Sequence, residues 1–133
     1  LIDGSMFVSP GADLAHQRLV ADLANRLRAS VPASLLVLQT VNVIADDGTL
    51  VMPDIGVVDP EFEVASGLGV SPQGLLLAVE VTSRSTRRKD LTIKRDLYSD
   101  WSVPYLLLDR KDGMLHMFGE PPVWARAVVY PQP

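Results

Sequence analysis

The sequence predicts an α/β fold with a central mixed β-sheet flanked by helices, and three observations carry that prediction. Leu19, Val20, Leu23, Ala24 and Leu27 recur at helical spacing and mark an amphipathic helix. Leu75 to Thr82 is an almost unbroken apolar run, as expected of a strand covered on both faces. Between that run and another apolar stretch, Tyr105 to Asp109, lies a second amphipathic segment from about Ser85 to Asp100. The 133 residues have room for one hydrophobic core, so residues 1–133 are read as a single domain.

Taken in order, Met6 to Ser9 reads as a short strand stopped by Pro10 and Gly11. Asp13 is placed to cap the first helix, which ends near Ser30, before Pro32. Leu35 to Ile44 is rich in β-branched residues, and Asp46, Asp47 and Gly48 supply a turn, so a strand and hairpin follow. Pro53 opens a strand from Asp54 to Val58. Residues 59–74 hold three glycines and two prolines and read as an irregular loop, placed to cover the site. After the second helix, Lys111 to Gly113 turns Tyr105–Asp109 into Met114–Phe118, and Val123 to Tyr130 is expected to add an edge strand. There is no internal repeat and no low-complexity tract.

Composition narrows the function classes. No apolar run approaches the roughly 18 residues of a membrane span. The opening residues lack the basic start and apolar core of a secretory signal, and cysteine is absent, so a cytoplasmic setting is the expectation. The formal net charge is −4, with 16 acids against 12 bases, which does not advertise a nucleic-acid surface as a whole. The bases are uneven, however: Arg84, Arg87, Arg88, Lys89, Lys94 and Arg95 crowd one segment, read either as a phosphate-docking patch or as a solvated helix face.

Lys94 is the residue that asks for an explanation. On the second helix it shares the apolar stripe of Leu91, Leu97, Tyr98 and Trp101, while Arg88, Lys89, Arg95 and Asp96 turn elsewhere. A charge aimed at a core needs an anion or a route to solvent. Glu80, the lone acid of the apolar run, is one candidate anion, and Asp54 is another. A lone carboxylate among leucines and valines is desolvated, with its pKa pushed up unless a cation sits beside it. If the strands bearing them are neighbours, the two acids converge on a site of hard oxygen donors, suited to Mg²⁺ or Mn²⁺ rather than zinc. With such an ion a lysine can orient water and neutralise developing charge, which is the chemistry of phosphodiester hydrolysis. The residues alone leave a second account open: Glu80 and Lys94 as a buried ion pair, Asp90 pairing with Lys94 at i, i+4, and Asp54 simply starting a strand.

Pro53-Asp54, then Glu80-Val81-Thr82-Ser83-Arg84-Ser85-Thr86, then Asp90, Lys94 and Tyr98 at four-residue intervals, then Val103-Pro104-Tyr105 leading to Asp109 resemble the Uma2 family of restriction-endonuclease-like domains. Leu1-Ile2-Asp3-Gly4 and His16-Gln17 resemble that family's first strand and first helix. Each motif alone is common; their order and spacing carry the likeness. The family belongs to the PD-(D/E)XK nuclease superfamily, so the resemblance implies a restriction-endonuclease-like core and a Mg²⁺- or Mn²⁺-dependent endonuclease acting on DNA. It implies Asp54 and Glu80 as metal ligands, with the Val81 backbone carbonyl as a further one, and Lys94 as the catalytic lysine. The superfamily's usual lysine position, two residues after Glu80, holds Thr82, and Lys94 on the next helix takes its place, as in the Uma2 pattern. The resemblance also implies residues before Leu1, and Val103 to Asp109 is shorter than the family's usual segment and lacks its aromatic pair.

Supporting candidates are His16, for substrate or positioning; Gln39, the polar exception of its strand; and Tyr98, on the lysine's face. Each also has an ordinary structural reading as cap, hydrogen-bonded glutamine or core aromatic. A different class remains in view: a non-catalytic module that keeps the nuclease fold and binds nucleic acid or protein. RNA is left open beside DNA as substrate, no membrane association is expected, and cutting two strands with one site per chain leads to the expectation of a homodimer.

Overall fold

The computed structural model describes residues 13–83 and 88–131, without the side chains of Lys89 and Asp90. The expected strand at Met6–Ser9 therefore lies outside the described residues, as does the start of the second helix before Arg88. Helix α1 (Leu14–Arg28) opens as its sequence requires: the Asp13 carboxylate accepts the His16 backbone N–H at 2.8 Å. Its buried residues, Val20, Leu23, Ala24 and Leu27, are the apolar stripe read from the sequence, with His16 at the amino-terminal end of the same face.

Five strands form the main sheet in the order β1 (Leu36–Gln39), β4 (Ile55–Val58), β5 (Leu75–Val81), β6 (Tyr105–Asp109), β7 (Met114–Phe118). β5 and β6 run parallel, joined over one face by helix α2 (Arg88–Asp100), and the other neighbouring pairs are antiparallel. This is the mixed sheet with helical flanks that the sequence predicts. β5 occupies the centre, and Leu77, Val79 and Val81 bury against α1 while Ala78 lies under Tyr98 of α2. The register slips between Val57 and Val58, so Val57 pairs with Leu77 and Val58 with Leu75, leaving Leu76 without a partner on β4. That bulge puts Leu75 in the same apolar cluster as Ala78, although strict alternation along β5 would put Leu76 on the Ala78 face.

Two expectations need correction. The stretch Leu35–Ile44 is not one strand: the chain leaves the sheet at Thr40, whose φ of 55° is left-handed, and Val43–Ile44 (β2) pairs instead with Leu50–Val51 (β3) in a separate two-stranded hairpin. The expected edge strand at Val123–Tyr130 is a 3-10 turn followed by a short helix α3 (Arg126–Val129). Ala125, Val128 and Val129 are the buried residues, a spacing of three and four that seals the α1 face of the core and that alternation cannot satisfy. Residues 59–74 form two 3-10 turns and hydrogen-bond to Asn42 and Ile44, which ties this loop to β2.

Val41 crosses over β4 where Gly56 leaves room: a methyl group there would stand 2.5 Å from Val41 Cγ1 and 3.2 Å from Leu75 Cδ1. Gly56→Ala is therefore expected to destabilise the fold by about 1–3 kcal/mol, the usual cost of overpacking. Urea unfolding checks it, and an unchanged midpoint would show that Val41 can move aside.

Candidate active site

The site is built where β4 and β5 end together. Ile55 pairs with Val79 and Gly56 with Ala78. Continuing that antiparallel register by one residue sets Asp54 across from Glu80. At this point the ladder changes hands: the Asp54 carboxylate, through Oδ2, accepts the Val81 backbone N–H at 2.8 Å. A side chain thus takes over from the strand backbone as acceptor, and the bond fixes the carboxylate against the central strand.

Helix α1 brings the third group. His16 is buried, and its Nε2 lies 3.2 Å from Asp54 Oδ2 and 2.9 Å from the Val81 carbonyl. Both partners are acceptors, so Nε2 carries the proton and donates. Nδ1 is buried and has no hydrogen-bond partner among the described residues. The ring is held in place from behind, because Asp13 accepts the His16 N–H and also takes Arg110 Nη1 on both carboxylate oxygens, at 3.1 and 3.2 Å. Arg110 in turn donates its backbone N–H to Thr82 Oγ1 at 2.9 Å. A closed circuit therefore runs from β5 through β6 and α1 back to β5.

Helix α2 supplies the cation. Lys94 Nζ donates to Glu80 Oε1 at 3.0 Å, with the lysine side chain about one third exposed and the glutamate 7% exposed. Burial raises the Glu80 pKa to about 7; Lys94 opposes that rise and Asp54 adds to it. One turn on, Tyr98 is fully buried, edge-on to Trp101 and 5.0 Å from the Tyr105 ring. Burial first, and the Glu80 charge second, push its phenol above the ordinary range. Its hydroxyl feels Glu80 without making a hydrogen bond among the described residues.

Asp54, Glu80, Val81, Lys94, His16 and Tyr98 are thus gathered in one region. Gln39 is not: it ends β1 opposite Ile55 with its side chain exposed. Thr82 is buried and occupied by the Arg110 backbone, and the Asp90 side chain lies outside the described residues. Arg110 is the contributor that the sequence did not reveal, since nothing local announces an ion pair with a residue 97 positions away. The donor set fits a hard divalent cation. A glutamate buried among apolar residues, a second carboxylate across the strand pair and a backbone carbonyl are oxygen donors whose desolvation a positive ion relieves. A second cluster, Asp109, Asp112 and His116, has ligand atoms within 4.8 Å of one another on the β6–β7 turn. Its carboxylates are engaged by the turn itself, Asp109 with Lys111 N–H and Asp112 with Met114 N–H and His116, and it is far more exposed than Glu80.

The family model described as "Uma2: Putative restriction endonuclease" matches residues 1–133. The chain belongs to the Uma2 family. No curated protein sequence matches it. Among solved structures it is similar to one titled as "a putative nuclease belonging to DUF820" from Anabaena variabilis, with a TM-score of 0.62 and 15% identity over 93% of this chain and 81% of that one. At that identity the likeness speaks for the fold, which this Uma2 chain shares. Among the described residues no helix is long and apolar enough to cross a membrane.

The Glu80 environment makes stability depend on pH. Between the ordinary 4.5 and about 7, folded Glu80 retains a proton that the unfolded chain releases. Its contribution is therefore full below about 4.5 and is lost as pH rises through about 7, by a few kcal/mol in order of magnitude. In metal-free buffer, the stability of the wild type relative to Glu80→Gln is expected to fall across that window. Parallel pH profiles for the two proteins in urea unfolding would refute it.

Proposed function

We propose that this Uma2 chain is a divalent-metal-dependent endonuclease that hydrolyses phosphodiester bonds in DNA. The observation that carries the reading is a buried glutamate in the central strand, met by a helix lysine at 3.0 Å and flanked by an aspartate fixed on the adjoining strand. Asp54 and Glu80 would hold Mg²⁺ or Mn²⁺, with the Val81 carbonyl as a third oxygen; the ion supplies charge neutralisation at the phosphate and an acidified water.

The chain's own groups then have distinct tasks. Lys94 orients the attacking water and offsets the negative charge that develops on the phosphoryl oxygens. Its partial exposure keeps the ammonium within reach of solvent and substrate. His16 positions Asp54 and the Val81 carbonyl with a single N–H, and the Asp13–Arg110 pair positions His16. Tyr98 walls Glu80 off from water on the helix side. Two cuts in a duplex need two such sites, so the working form on duplex DNA is a homodimer. A chain without cysteine is at no disadvantage in a reducing cytoplasm, the compartment we assign.

The second reading, a non-catalytic module with the nuclease fold, is favoured by one observation: Lys94 and Glu80 already satisfy each other as an ion pair. Metal affinity separates the two. Calorimetric titration with Mn²⁺ is expected to show a site in the wild type that Asp54→Asn abolishes. Lys94→Ala is expected to lower cleavage of plasmid DNA at least 100-fold while its circular dichroism matches the wild type. Wild-type protein that takes up no Mn²⁺ would exclude the enzyme; Lys94→Ala protein that still cuts would remove the lysine's role.

A further inference from the structure

Just past the acid pair, at the carboxyl end of β5, the surface opens into a cleft of about 680 Å³ that the site chemistry leaves unused. Thr82 and Ser83 line it together with Arg88 of α2 and with Asp109, Arg110 and Lys111 at the end of β6 and the turn that follows. We infer that this cleft seats a backbone phosphate of the nucleic-acid strand whose cleaved bond lies at Asp54 and Glu80. The inference rests on the nuclease reading for the position of the cut, though not for the binding itself.

Position is the first argument. Thr82 follows Glu80 by two residues along a strand, about 7 Å at the rise of an extended chain, which is close to one phosphate step on a polynucleotide. Leu91, which also lines the cleft, precedes Lys94 by three residues on the same face of α2. A strand passing the lysine therefore enters this cleft next.

Charge is the second. Among the described residues three cationic side chains and one carboxylate line the cleft, on a chain whose formal net charge is −4. Arg110 keeps Nη1 on Asp13 while a guanidinium has five N–H donors in all, so the ion pair does not exhaust it. Asp109 opposes an anion, but its Oδ1 accepts the Lys111 backbone N–H at 2.8 Å, which folds that carboxylate into the turn. Arg88 and Lys111 are both exposed, so neither charge is spent on a buried partner group.

The lining also says what kind of contact this is. Among the described residues no aromatic side chain lines the cleft, so bases find no stacking partner there, and the cations suit phosphate oxygens instead. The Arg110 backbone, hydrogen-bonded to Thr82, holds the turn at a fixed distance from the strand. Recognition here is of the backbone and independent of sequence.

The test measures binding of two unrelated fluorescein-labelled 20-base-pair DNA duplexes in EDTA over a salt series, for wild type, Arg88→Gln, Lys111→Gln, the double variant and Arg26→Gln, whose side chain is exposed on α1. Each cleft substitution is expected to lower the slope of log K against log salt by about 0.9. The loss is expected to be the same on both sequences, with Arg26→Gln unchanged and Mn²⁺ affinity intact in every variant. An unaltered slope in the double variant, or an equal loss in Arg26→Gln, overturns the inference. Cleft-dependent binding by a protein that takes up no Mn²⁺ would sustain the phosphate site while removing the nuclease reading.

Discussion

A carboxylate in the middle of a sheet is expensive unless something answers its charge, and Glu80 is such a carboxylate. It is flanked along β5 by Val79 and Val81, whose side chains pack into the α1 side of the core, and it shares its own face with Ala78 beneath Tyr98. The answering group comes from elsewhere in the chain: Lys94 reaches it from α2. Asp54, which raises its pKa further, stands across from it just before β4. Packing that merely tolerated Glu80 would have kept the second acid away. Two acids brought together against their own repulsion, with one lysine paired to Glu80, is an arrangement that binding a cation would relax.

The placement of the lysine on a helix follows from the same constraint. Position 82, on the Glu80 face of β5, is buried and already committed, since Thr82 Oγ1 takes the Arg110 backbone N–H. A lysine there would carry its charge at a closed strand end and would break the contact that ties β6 to β5. From α2 the ammonium arrives along an apolar stem and stays about one third exposed, so its desolvation is partial. Moving the cation from strand to helix keeps its contact with Glu80 and frees the strand end for the circuit through Arg110, Asp13 and His16.

How much of this was legible in the sequence can be judged residue by residue. The phase of Lys94 among Leu91, Leu97, Tyr98 and Trp101 was readable, because helical periodicity is local. So was the solitary Glu80 in its apolar run, and the Asp13 cap. The break at Thr40 was not, because it depends on Val41 finding space over Gly56, a contact fifteen residues away that no local propensity encodes. The short helix at Arg126 was missed because a mostly apolar run as short as Val123 to Tyr130 does not by itself separate strand from helix. Only the burial of Ala125, Val128 and Val129 against α1 decides for the helical period. Arg110 was invisible for the same reason as Thr40: its partner is set by tertiary structure.

His16 shows where sequence and structure meet. A histidine two residues inside a helix reads as a surface or capping residue, yet the cap belongs to Asp13, whose carboxylate accepts the histidine's own N–H. That frees the ring to turn inward, where one N–H spans Asp54 and the Val81 carbonyl. The two acceptors it joins are both groups expected to face a cation, so the imidazole occupies the ground between them through a proton. An asparagine at position 16 could donate a hydrogen bond to either acceptor, but its shorter side chain would have to bring α1 closer to the sheet to reach them. The distance between helix and strands, set by Val20, Leu23 and Leu27 against Ile55 and Val79, is therefore matched to the length of an imidazole. Core packing and site geometry are in this sense one specification, written in the spacing of a single helix.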